Sequence, residues 1–169
     1  MIATIPTALA AGGIFSDVPN GAWYADAVDY VYEHGIMNGT SATTFSPNTP
    51  MTRAMLVTVL HRAAGSPSAA TGTAFSDVPS GAYYTDAVAW ASANSIVTGY
   101  GNGRFGSNDP VSRAQIAAIL WRYAGSPSAE AGHDFADESS IPAYASAAVD
   151  WARANGVVNG TTGNRFDPN

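Results

Sequence analysis

The chain has no cysteine, little charge and no long apolar run. Without cysteine there are no disulfides, no thiolate metal sites and no cysteine nucleophile. Charged residues make up 12% of 169 residues against 46% hydrophobic, a balance that folds rather than stays disordered. The 7 Lys+Arg and 13 Asp+Glu leave a net charge of −6. Neutralising phosphates needs a basic patch, so nucleic acid is disfavoured as a partner. Any anionic ligand must be met by a few placed arginines rather than by bulk attraction. No stretch approaches the roughly 18 apolar residues of a membrane span, which argues against membrane insertion. His34, His61 and His133 are far apart, and no Ser/His/Asp set or carboxylate pair recurs. Neither a metal, a cofactor nor an enzyme active site is expected from them.

What is present is a repeat, and a period of this length decides the fold. Phe15 opens F-S-D-V-P-N-G-A-W-Y-A-D-A-V, and Phe75, sixty residues on, opens F-S-D-V-P-S-G-A-Y-Y-T-D-A-V. Phe135 opens a third copy, F-A-D-E-S-S-I-P-A-Y-A-S-A-A-V, with one inserted residue. Gly39, Gly99 and Gly160 follow in register, then Phe45, Phe105 and Phe166. The units are 15–68, 75–128 and 135–169, the last cut short after Phe166-Asp167-Pro168-Asn169. Residues 1–14 read as an N-terminal linker or a signal-peptide remnant, with Ala8-Leu9-Ala10 as its small-residue end.

Each unit reads as helix–loop–helix. Trp23, Ala27, Tyr30 and Val31 fall at helical spacing; Tyr83, Ala87, Trp90 and Ala91, then Tyr144, Ala148, Trp151 and Ala152, repeat the stripe. Gly35 and Gly156 suit a left-handed helix stop, where Ser95 is a weaker substitute. Second helices begin at Thr52 and Ser112, and Ser112 with Gln115 matches a capping box. Leu56, Val59, Leu60 and Ala63, and then Ile116, Ile119, Leu120 and Tyr123, form their apolar faces. Short strands are expected at Ile36-Met37 and Thr44-Phe45. The fold expected is therefore mainly α, tandem helix–loop–helix repeats with short β pieces, packed on one another.

These landmarks resemble the S-layer homology family over Phe15 to Asn169. The pattern stands here as Phe15-Ser16-Asp17-Val18, Trp23, Gly35-Ile36, Gly39, Phe45-Ser46-Pro47 and Thr52-Arg53-Ala54. The second copy keeps Phe75, Asp77, Tyr83, Gly99, Phe105 and Ser112-Arg113-Ala114-Gln115. The resemblance implies a pseudo-threefold arrangement of repeats with grooves between neighbours. It also implies an extracellular module that holds a surface protein non-covalently on the bacterial cell wall. The partner it implies is an acidic secondary wall polysaccharide, pyruvylated polymers included. Two other readings stand beside it: an assembly module of a surface layer, and the targeting part of a larger wall-active enzyme. Met55 and Gln115 replace the family's glutamate after T-R-A, and the third copy has Asp137-Glu138 and no such arginine. These departures suggest tuned sites and no normal third groove.

Arg53 and Arg113 are the leading ligand candidates, because a guanidinium meets a carboxylate in two-point fashion. Both sit at a helix start, where free amides favour an anion; the alternative is a structural ion pair with Asp17 or Asp77. Those aspartates suit sugar hydroxyls or, equally, a turn. Trp23, Tyr83 and Tyr144 suit stacking on a sugar, although their helical spacing favours the core. Gly39 and Gly99 suit a backbone turn and close approach of a ligand. Gly101, Gly103 and Gly106 spell a nucleotide fingerprint, but without the strand–turn–helix context it is a coincidence. The stripe Tyr144, Ala148 and Trp151 lies on a helix whose following partner is absent, so the third repeat is expected to present an open face and to self-associate through it.

Overall fold

The structure, a computed structural model, describes residues 13–69, 72–129, 132 and 134–169. The expected linker or signal remnant, up to residue 12, and His133 lie outside the described residues. The chain forms two compact units that do not follow the repeat boundaries: one runs to Thr49, the other from Pro50 to Asn169. Among the described residues five α-helices are present, α1 Ala25–Glu33, α2 Arg53–Ala63, α3 Thr85–Ala93, α4 Arg113–Tyr123 and α5 Ser146–Ala154. Short 3-10 turns at Glu138–Ser140 and Ala143–Ala145 absorb the third copy's inserted residue.

Helix ends follow local chemistry. Thr52 Oγ1 accepts from the Met55 amide at 3.2 Å, capping α2. At α4 both halves of the expected box form: the Gln115 amide donates to Ser112 Oγ, and the Ser112 amide to Gln115 Oε1, each at 3.4 Å. Gly35 and Gly156 terminate their helices at φ 66°, and Ser95 is held in the same left-handed region at φ 58°, a conformation that costs a side-chain residue more than glycine.

Helices pair across repeats. In the second unit α2 packs on α3 and α4 on α5, so each first helix is covered by the second helix of the copy before it. The α2–α3 core contains Val57, Leu60, Val88, Ala91, Val97 and Phe105, all buried. The α4–α5 core joins Ala117 and Ala118 to Ala148, Val149 and Phe166; alanine on facing surfaces lets the two backbones approach, and Phe166 fills the end. Burying such a valine or phenylalanine is worth roughly 1.5–3 kcal/mol. The first unit has its own small core of Phe15, Val18 and Val28, flanked by Tyr24 and Tyr32.

Four expectations are corrected here. The third repeat does not leave its helix open: Ala148, Val149 and Ala152 are fully buried because α4 supplies the cover. The expected strands at Ile36-Met37 and Thr44-Phe45 do not form. Among the described residues, β pairing is confined to the isolated bridges Thr52–Pro110 and Thr161–Arg165. The reason is that the Phe45 amide is taken by the Asp17 carboxylate at 2.8 Å, and the Thr40 and Ser41 amides both converge on the Thr44 carbonyl in a tight turn instead of a ladder. The aromatic starts of the stripes are not core: Trp23 is 93% exposed, Tyr83 66% and Tyr144 53%. They precede the helices, so helical periodicity does not reach them, and α1 buries Val28 instead. Finally, the faces of α2 and α4 are rotated. Val57 is buried with Leu56 and Leu60 while Ala63 and Tyr123 are exposed, because the neighbouring repeat's helix covers the N-terminal and middle turns.

Candidate functional site

Each copy of the F-x-D motif builds the same staple. Asp17 accepts from the Phe45 and Ser46 amides at 2.8 and 2.7 Å, and Asp77 from Phe105 and Gly106 at 2.7 and 2.8 Å. Asp137 accepts from Phe166 and Asp167 at 2.7 and 2.9 Å. Two amides on one carboxylate favour its charged form. For Asp17 the Phe45 amide is the leading influence and lowers the pKa against the effect of burial. For Asp77 and Asp137 burial pushes upward, but the paired amides, helped by Arg104 and Arg165, still hold the carboxyl below its ordinary value. Among the described residues Asp77 does not make the ion pair with Arg53 or Arg113 that the sequence left open; the cation near it is Arg104, at 3.8 Å.

The glycines that follow serve this staple. A Cβ on Gly39 would stand 2.6 Å from both the Phe15 ring and the Thr44 carbonyl oxygen. On Gly99 it would stand 2.6 Å from the Phe75 ring and 2.5 Å from the Arg104 carbonyl oxygen. The motif phenylalanine ring approaches the loop backbone closely at this position, and glycine is what lets it.

Arg53 enters the next copy's loop. Its Nε donates to the Phe105 carbonyl at 2.9 Å and Nη2 to the Thr98 carbonyl at 3.0 Å. Its guanidinium carbon lies 4.8 Å from the centroids of both the Tyr100 and Phe105 rings, and the residue is 5% exposed. Arg113 repeats the contact one copy on, to the Phe166 and Asn159 carbonyls at 2.7 and 3.2 Å. The amides at the start of α2 are taken as well: Arg53 N donates to the Asp109 carbonyl and Ala54 N to that of Ser107. The helix start is therefore not an open anion site, contrary to the expectation, because the neighbouring loop fills it.

Beside Arg53 lies a cavity of about 290 Å³. Its walls are the Val97–Tyr100 loop, the α4 face carrying Gln115, Ala118, Ile119 and Arg122, and Tyr144 from the third copy. Two arginines line it and no acidic residue does. Burial pushes the Tyr100 phenol above its ordinary value; the Arg53 charge pulls it down, and a hydrogen bond to Asp109 pushes it up. Of the residues singled out from sequence, Arg53, Gly99 and Tyr144 meet here. Arg113, Asp77 and Tyr83 do not line this cavity. Trp23 borders a groove of about 360 Å³ within the first unit, with Val31 and Phe45. Arg122 and Tyr100 were missed. A signal for Arg122 existed, since H-R-A-A-G and W-R-Y-A-G place Arg62 and Arg122 sixty residues apart.

A mainly helical tandem repeat that interlocks through arginine-tipped helices and keeps a small arginine-lined cavity at a junction has the form of a binding module. Residues 14–54, 74–117 and 134–169 each match the S-layer homology domain, and the chain belongs to that family. It is 34% identical over 159 residues to an endoglucanase of Bacillus sp. (strain KSM-635), covering 91% of this chain and 17% of that protein. It is 30% identical over 122 residues to the S-layer protein sap of Bacillus anthracis, covering 71% of this chain and 15% of that one. With the surface-layer 125 kDa protein of Lysinibacillus sphaericus it shares 29% over 163 residues, 96% of this chain and 14% of the relative. The chain thus spans less than a fifth of these curated relatives. Among the described residues no helix is long and apolar enough to cross a membrane.

Proposed function

We propose that this chain is an extracellular, wall-associated anchoring module that binds an acidic cell-wall polysaccharide, pyruvylated polymers included, through the cavity beside Arg53. Membership of the S-layer homology family and relatives named as surface-layer and cell surface proteins support the location and the anchoring role. The observation that carries the ligand class is electrostatic. In a chain of net charge −6, one cavity gathers two arginines, two tyrosines and no carboxylate. An acidic surface with a local cationic pocket selects for a placed anion and against general polyanion binding. Tyr100 and Tyr144, each about half exposed, offer aromatic rings beside it that suit a sugar face. A pseudo-threefold arrangement of the repeats belongs to this same reading.

The test is co-sedimentation of the chain with purified cell walls before and after chemical removal of the non-peptidoglycan polymer. Binding that disappears with the polymer supports the proposal. Binding that survives its removal, or is absent throughout, rejects it.

A further inference from the structure

We infer that Arg122 is the cation that selects a carboxylate-bearing sugar in this cavity, with Tyr144 as the wall its ring lies on, and that Arg53 is a positioning residue. This rests on the reading of the cavity as a glycan site.

Arg53 is already committed. Its Nε and Nη2 hold two carbonyls of the neighbouring loop, two aromatic rings flank its guanidinium, and water barely reaches it. Arg113 makes the matching pair of bonds to Phe166 and Asn159. A contact built twice in the same way at two junctions is a joint of the repeat. Drawing such a guanidinium towards a ligand would strand buried carbonyls, which is costly.

Arg122 differs in each respect. It lines the cavity from the last turn of α4 and is half-buried. Among the described residues no carboxylate or carbonyl holds its side chain, so its planar fork is available for two-point bonding to a carboxylate. Tyr144, from the following copy, lines the same cavity with about half its surface exposed. At the matching place on α2, the Arg62 charge pulls the Tyr83 phenol pKa down, against the larger upward push of burial. The volume of about 290 Å³ lies at the small end of ligand cavities. It suits one substituted ring and not a run of sugars.

The experiment uses the full chain and two probes: purified wall polymer with its carboxyls intact, and the same polymer with carboxyls reduced to alcohols. The parent is expected to prefer the intact polymer. Arg122→Gln should lose about ten- to a hundredfold in affinity for it, down to the level of the reduced polymer, at an unchanged melting temperature. Arg122→Lys should restore part of the preference, since it returns charge without the fork. Arg53→Gln should lower the melting temperature, because two loop carbonyls lose their donor. If Arg122→Gln keeps the parent's preference, the assignment of Arg122 is wrong and the glycan reading stands. If the parent binds neither polymer, or both equally, the glycan reading falls and the assignment with it.

Discussion

The loop of the first copy and the loops of the second and third are built alike but buried differently. All three carry the aspartate staple: Asp17, Asp77 and Asp137 each clamp two successive amides some thirty residues downstream. In the second unit Phe105 and Phe166 are fully buried, and their carbonyls are held by Arg53 and Arg113. Within the first unit Phe45 is half-buried and lines a groove, and among the described residues no side chain donates to its carbonyl. The staple is therefore local and forms within one copy. Deep burial is a property of the junction, supplied by an arginine-tipped helix from the preceding copy. The repeat in sequence and the unit in space are offset by one helix.

The largest break in this comparison should come from the matched phenylalanines. Phe105→Ala empties a site closed on all sides and should cost about 3–5 kcal/mol in denaturant unfolding of the second unit. Phe45→Ala, at the equivalent place, should cost distinctly less because the groove already admits water. Equal losses would mean that the two loops are equally packed in solution.

The arginines come next. Arg53→Ala leaves two buried carbonyls without a donor, a loss of roughly 1.5–3 kcal/mol. Arg113→Ala should cost less, because Arg113 is half-buried and its second bond is longer, at 3.2 Å. Thermal melts of the two variants give the ranking; a reversed order would show that burial does not set the worth of the joint.

The smallest effect separates the staples by pH. All three aspartates have pKa values held below the ordinary carboxylate value. A depressed folded-state pKa contributes stability that is present above the unfolded value, about 3.9, and is lost as pH falls through the folded one. Stability should therefore be flat near neutrality and decline below about pH 4. Asp77→Asn and Asp137→Asn keep one acceptor for two amides, so each variant should be less stable at pH 7 and show a shallower decline in acid. Guanidinium titrations at pH 7 and pH 3 check this, and an undiminished acid slope in both variants would remove the staples as its source.

Much of the architecture was legible in the residues. The sixty-residue period, the five helices, the Ser112–Gln115 box and the left-handed stops at Gly35 and Gly156 all rest on short-range chemistry. A cap or a stop involves residues three or four apart, so one window of sequence contains both partners. The aspartate, the arginine and the glycine of each motif were visible as special positions, but their partners were not. Asp77 reaches an amide 28 residues on, and Arg53 a carbonyl 52 residues on; no local spacing encodes such distances. Arg122 escaped notice because an arginine at the end of a helix reads as a favourable partner for the helix dipole.

The sequence alone determined that this is a three-copy helical repeat of the S-layer homology type, because identical landmarks at fixed spacing require identical local structure. Only the tertiary structure decided which helix covers which. Packing is settled by which apolar faces meet, and here α2 meets α3 and α4 meets α5 across the repeat boundary. That choice buries Arg53 as a joint, closes over the third copy's helix, and brings Arg122 and Tyr144, from different copies, to one cavity.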